Sequence, residues 1–200
     1  MNLNTEQKIL DAAASVFHAK GYDGARMQKI ADKAGINKGL LHYYFKTKDS
    51  LFEKVYSSAF RKILEQMATA LSKAVPLDEK IEAMVDGYFD MLLTNPALPR
   101  FVMNELSKDP GQFVLKNMSR QMEAAFTVFE SAVQKEISAG RIRPTDPRQL
   151  CMSIVALSVF PFMGKPVLQY VLGVDHKEYQ VLMQDRKLLV KQFIRQAISV

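Results

Sequence analysis

Apolar residues recur at spacings of three and four along nearly the whole of this 200-residue chain, and no strand-length segment alternates strictly. Such spacing puts apolar residues on one helical face, whereas a half-buried strand needs a period of two. The predicted fold class is therefore all-α. A first helix is expected from about Thr5 to Lys20, with Ile9, Ala13, Val16 and Phe17 on one face. Asn4 or Thr5 caps its start and Gly21 supplies a left-handed stop. Met27 to Ala34 reads as a short second helix with Ile30, Ala31 and Ala34 inward. Lys38 to Phe45 reads as a short third, capped by Asn37, with Leu40, Leu41, Tyr44 and Phe45 inward. Thr47 caps a long fourth helix that reaches about Ala74 and ends at Pro76. Further helices are expected over 78–94, 98–107, 111–139, 147–162 and 178–198. Prolines and glycines from Pro96 to Gly173 break the chain between them, and Gly164, Pro166 and Gly173 are read as such breaks. In 111–139, Leu115, Met118, Met122, Phe126, Phe129 and Val133 form one continuous stripe.

A hydrophobic share of 48% and a charged share of 24% suffice for a real core. The lone Cys151 excludes an internal disulfide framework and a cysteine zinc site, and the three histidines are too dispersed for a metal pattern. No nucleophile elbow, phosphate loop or pair of carboxylates at functional spacing occurs, so neither an enzyme nor a bound cofactor is expected. The N-terminus MNLNTEQKIL lacks the apolar run of a signal peptide. No segment approaches the roughly 20 apolar residues of a membrane span. A cytoplasmic protein without a membrane partner is expected.

Charge is uneven. Residues 1–62 hold 11 Lys and Arg against 6 Asp and Glu, while the remainder is nearly balanced at 16 against 15. A basic first third on a neutral body points to a polyanion at one end. The motif in that third gives the charge a use. Two short helices meet at Ala34-Gly35-Ile36-Asn37, where Gly35 permits the turn and Ile36 plugs the angle against Ile30 and Leu41. This is a helix-turn-helix, whose second helix enters the DNA major groove. Asn37, Lys38, Gly39, His42 and Tyr43 face away from the inner row. Lys38 reaches guanine acceptors or phosphate. Asn37 caps the helix or contacts a base. Gly39 lets the backbone approach, and Leu40 can meet a thymine methyl. His42 and Tyr43 bond phosphate or a base edge. Lys48, in the first turn of the fourth helix, and Lys46 are candidate phosphate contacts.

Residues 5–56 resemble the N-terminal domain of the TetR/AcrR family of bacterial repressors. The resemblance rests on Ile9-Leu10-Asp11-Ala12-Ala13, Phe17, Gly21-Tyr22, Ile30-Ala31, Ala34-Gly35-Ile36, Lys38-Gly39, Tyr44-Phe45, Lys48 and Leu51, in order and at the family's spacing. Four residues depart from it. Ala25 and Arg26 stand where Ser or Thr is usual, so Arg26 or Gln28 at the start of the second helix takes the phosphate role, and Met27 beside them is a further DNA-contact candidate. Leu40 and His42 stand where Thr and Tyr are common. The resemblance implies a helix-turn-helix domain over residues 1–47 and a helical effector-binding and dimerisation domain over 48–200. It also implies double-stranded DNA and a small-molecule effector as partners. Tyr88, Met91, Phe101, Asn104, Met122, Phe126 and Phe129 lie on helices that line the family's effector pockets.

Residues 147–162 and 178–198 are apolar on more than one face, with Leu150, Ile154 and Leu157 in one row and Cys151, Val155 and Phe162 in another. A helix inside one small domain needs a single stripe, so these two are expected to pack against a second copy in a two-fold homodimer. The resulting expectation is a ligand-responsive repressor on a palindromic operator. The alternative is an architectural DNA-binding protein without an effector.

Overall fold

The computed structural model describes residues 3–117 and 120–200, and all of their side chains except those of Leu3 and Ile63. Its helices are α1 (Leu3–Gly24), α2 (Met27–Ala34), α3 (Lys38–Tyr44), α4 (Lys48–Ser72), α5 (Leu77–Thr94), α6 (Leu98–Lys108), α7 (Pro110–Asn117), α8 (Arg120–Ser138), α9 (Pro147–Met163), α10 (Lys165–Leu172) and α11 (His176–Ile198). Extended pairing among the described residues is limited to one isolated bridge, Ile142 with Ser199. Within α1, Gly21 has φ 66° and ψ −179°, so the continuous helix stops there and Tyr22–Gly24 form a separate turn. The glycine stop read from the sequence is this break.

The chain forms two compact units. One holds the residues up to Lys62 together with Asn95–Asn117; the other holds Ile63–Thr94 together with the residues beyond Asn117. In the N-terminal unit α1 packs on α2, and α2 on α3, around buried Ile9, Ala13, Phe17, Ile30, Ala31 and Leu41. The same unit recruits α6 and α7 through rings. Phe52 stands edge-on to Phe17 at 5.0 Å, Tyr56 stacks on Phe101 at 6.1 Å, and Phe60 lies 5.4 Å from Phe113. Aromatic pairs at such separations add to the area they bury.

The C-terminal unit is a helical body. Its core joins Ala68 and Leu71 of α4, Ile81, Val85 and Phe89 of α5, Phe129 and Val133 of α8, Ile154 of α9, and Val190 and Ile194 of α11. Lys80 is buried and its ammonium donates to the carbonyls of Leu71 and Lys73, which satisfies backbone groups left open where α4 ends. Burial pushes the Lys80 pKa down from its ordinary value. Asp146 caps α9, and Asp175 with Glu178 forms a reciprocal capping box on α11.

Two expectations need correction. The single helix expected over 111–139 is two elements, α7 and α8, which belong to different units, and its stripe residue Met118 lies outside the described residues. The segment read as a string of breaks at Gly164, Pro166 and Gly173 contains α10. Pro166 sits in its first turn, where a missing N–H costs nothing, and Gly173 ends it in the left-handed region at φ 65°. Those residues mark where a helix begins and ends rather than where helix is absent.

Candidate nucleic-acid interface

The turn between α2 and α3 follows from three residues. Gly35 takes φ 67° and ψ 32°, and its N–H donates to Asp32 O while that of Ile36 donates to Ala31 O. This double closure is the glycine-terminated helix end known as the Schellman motif. Asn37 then caps α3, its Oδ1 accepting from Leu40 N at 2.7 Å. Leu41 and Phe45 are buried and pin α3 to the unit's core. Burial on that side turns Lys38, Gly39, His42 and Tyr43 to the exposed side, where Tyr43 is 74% accessible. Leu40 does not join the inner row; it is 38% accessible and borders the exposed face. Tyr44 is half-buried, with Tyr43 edge-on to it at 5.6 Å.

His42 Nδ1 lies 3.2 Å from Lys46 O. A carbonyl only accepts, so Nδ1 carries the hydrogen in this contact and a neutral ring presents Nε2 as an acceptor. Asn37 is committed as a cap through Oδ1, which leaves its Nδ2 as a donor. Gln28 donates to Asp32 at 2.8 Å. Arg26 is exposed and precedes α2 in extended conformation without a capping bond from its side chain, so the first amides of α2 lack that partner. Met27 is half-buried and Lys46 exposed. Thr47 caps α4, its Oγ1 accepting from Ser50 N at 3.0 Å.

Lys48 is half-buried in the first turn of α4. Its ammonium donates to Tyr22 O at 3.0 Å and to Ala25 O at 3.3 Å, and lies 4.3 Å from the Tyr22 ring centroid. Two of its three donors are thus spent on the connection between α1 and α2. These bonds hold the connection between α1 and α2. The neighbourhood of Lys48 also gathers Tyr22, Asp23, Asp49 and Arg100, which the sequence reading left aside as a group. In the sequence, Gly21 signals a helix stop and, with Tyr22, a family match. Nothing in the local sequence links Arg100 to residues some 77 positions earlier.

The candidate effector residues fall in both units. Phe101 is a core residue of the N-terminal unit, ringed by Phe52, Tyr56 and Phe113, and Asn104 is exposed in that unit. Tyr88, Met91, Met122, Phe126 and Phe129 lie in the C-terminal unit. Phe129 is fully buried, Met122 and Phe126 pack partly buried against its core, and burial pushes the Tyr88 hydroxyl up to about 12. Burial likewise raises the Cys151 thiol, as expected of a small apolar filler. Among the described residues no group of three or more His, Cys, Asp and Glu could hold a metal ion. No single described helix is long and apolar enough to cross a membrane; α9 and α10 pass that test only as a pair bent by 76°.

Comparison with known proteins decides the family. Residues 9–55 match the profile of bacterial regulatory proteins of the tetR family, and residues 78–192, more than half of the chain, match the tetracyclin repressor-like C-terminal domain. The chain belongs to the TetR family. It is a DNA-binding transcriptional regulator of that family, whose members are regulators and not enzymes. The HTH-type transcriptional regulator RutR of Escherichia coli is 28% identical over 156 residues, which cover 76% of this chain and 70% of RutR. A TetR/AcrR-family regulator from Thermobifida fusca has the same fold, with a TM-score of 0.66 at 16% identity, over 93% of this chain and 96% of that one. FadR from Bacillus subtilis, solved in complex with stearoyl-CoA, superposes with a TM-score of 0.56 at 19% identity, over 92% and 96% of the two chains.

Proposed function

We propose that this TetR-family regulator is a cytoplasmic, ligand-responsive repressor that binds a palindromic operator as a homodimer and is released by a small, largely apolar effector. The observation that carries the reading is the exposed face of α3. Lys38, Gly39, His42 and Tyr43 stand together on a helix whose opposite side is anchored by buried Leu41 and Phe45. That arrangement fits a recognition helix in the major groove, with α2 crossing the backbone. Arg26 and Gln28 at the start of α2, and Lys46 before α4, serve the phosphates, with Met27 between the first two as an apolar contact to the DNA, and the first-turn amides of α4 add to them.

A homodimer is supported by the outer faces of α9 and α11. Met152, Phe160, Leu188, Leu189 and Phe193 are exposed there although large and apolar, and Phe193 is 60% accessible. Contiguous apolar surface of this kind marks an interface. Two copies joined by these helices carry two recognition helices, which must match half-sites one helical turn apart or a multiple of it, about 34–36 Å per turn. The apolar effector is supported by Tyr88, Met91, Met122, Phe126 and Phe129 of α5 and α8, whose rings and thioethers suit an adaptable apolar lining. FadR, a structural relative, holds stearoyl-CoA. An effector releases DNA only if it binds the DNA-incompetent state more tightly than the competent one.

Selection of bound duplexes from a random pool tests this function. A palindrome with fixed half-site spacing is the expected result, and it supplies the probe for finding effectors by release. Salt-sensitive binding without any motif would replace the reading with that of an architectural protein.

A further inference from the structure

Tyr22 follows the break at Gly21 and begins the short segment that leads into α2. Three groups hold this segment. Lys48 of α4 donates to the carbonyls of Tyr22 and Ala25. Asp49, the next residue, accepts the Tyr22 hydroxyl. The third group comes from α6: the Arg100 guanidinium donates to Asp23 Oδ2 at 2.6 Å through Nη1 and to Oδ1 at 3.4 Å through Nη2, and its central carbon lies 4.9 Å from the Tyr22 ring centroid. One side chain of α6 therefore engages both residues that follow the break in α1. The segment matters because α2 has no side-chain cap of its own. Its start is set by residues 22–26, and α3 is tied to α2 by the Gly35 turn.

The geometry points to Arg100 as a positioning residue for the DNA-reading helices, acting through Tyr22 and Asp23, so that α6 sets the order of the helix-turn-helix. This rests on the reading that the helix-turn-helix is regulated from the rest of the chain. The contact has the strength of a switch. Arg100 and Asp23 are both largely exposed, so water competes for their pair. An exposed ion pair and an exposed cation–π contact together bias an equilibrium by about three- to tenfold. That is enough to favour one arrangement and little enough to be released. A shift of α6 by about 2 Å would carry the guanidinium past the reach of both partners, near 4 Å for the ion pair and 6 Å for the ring.

The test is hydrogen exchange of the full chain, comparing wild type with Arg100→Ala, Arg100→Lys and Asp23→Asn. Arg100→Ala is expected to speed exchange of the amides of residues 22–44 by about three- to tenfold, with the C-terminal unit unchanged. Asp23→Asn is expected to act in the same direction and Arg100→Lys to restore part of the protection. Exchange of Arg100→Ala identical to wild type over that segment would overturn the assignment. A second arm uses the duplex that wild type selects. Arg100→Ala is expected to bind it several-fold more weakly with an unchanged salt slope, whereas a slope smaller by about 1 would make Arg100 a phosphate contact and overturn the positioning role. If wild type selects no duplex, the DNA-reading interpretation fails while the exchange arm still decides the role of Arg100.

Discussion

Replacing Asn37 with alanine removes one hydrogen bond from a helix of seven residues. Leu40 N donates to Asn37 Oδ1 at 2.7 Å, and Asn37 is exposed, so the substitution deletes the cap and almost no packing. A helix this short has few internal bonds to offset the entropy of its first turn, and the cap is a large share of what holds it. Loss of an Asn cap costs about 1 kcal/mol. In a chain of this size that lowers Tm by about 2–4 °C. Asn37→Asp separates capping from DNA contact. Aspartate caps as well as asparagine, so stability should stay within a few tenths of a kcal/mol, while the new negative charge faces the phosphates and weakens DNA binding. Melting followed by circular dichroism, with DNA titration of each variant, checks both parts. An alanine variant as stable as wild type, or an aspartate variant destabilised as much as the alanine one, would refute the capping argument.

Gly35→Ala places a Cβ in open space, but at φ 67°, so its cost of about 1–2 kcal/mol comes from the backbone alone and should appear as a lower Tm with the fold retained. Leu41→Ala should destabilise by about 2–5 kcal/mol because the side chain is fully buried, whereas Tyr43→Ala should leave the urea midpoint almost unmoved. Leu189→Glu combined with Phe193→Glu should turn a dimer into a folded monomer in sedimentation equilibrium, since both side chains are exposed on α11 and their loss removes nothing from the core. Of the seven tyrosines, Tyr22 is pushed up to about 12 chiefly by its bond to Asp49, and Tyr56 and Tyr88 chiefly by burial. Burial also raises Tyr179. The unfolded chain loses these protons first, so stability is full below pH 10 and falls as pH rises toward 12; a tyrosinate absorbance titration should show four rings ionising late.

What the sequence disclosed depended on how local the cause was. The starts and ends of α2 and α3 were legible because Gly35 and Asn37 act on backbone groups two to four residues away. The bounds of α5, α6, α9 and α11 were legible within a few residues, since prolines and the apolar period act over single turns. The grouping of α6 and α7 with α1–α3 and the first part of α4 was not legible, because it comes from Phe101 and Phe113 meeting Phe52, Tyr56 and Phe60 across long stretches of chain. The inward commitment of Lys48 was hidden for the same reason: its partners are carbonyls of residues 22 and 25, and a carbonyl leaves no trace in side-chain chemistry. The division of the effector candidates between the units, with Phe101 and Asn104 in one and the rest in the other, was not legible either, because helix membership does not say which unit a helix joins. α10 was missed because Pro166 and Gly173 were weighed as breakers without regard to their order.

The account turns on whether the exposed face of α3 reads base pairs, and repeating the random-pool selection with Lys38→Ala and Tyr43→Ala tests that most directly. The expected result is a palindrome of unchanged half-site spacing whose base preferences relax at the same position in both half-sites. A motif identical to that of wild type in both variants would contradict the account, since the side chains it places in the groove would then be reading nothing.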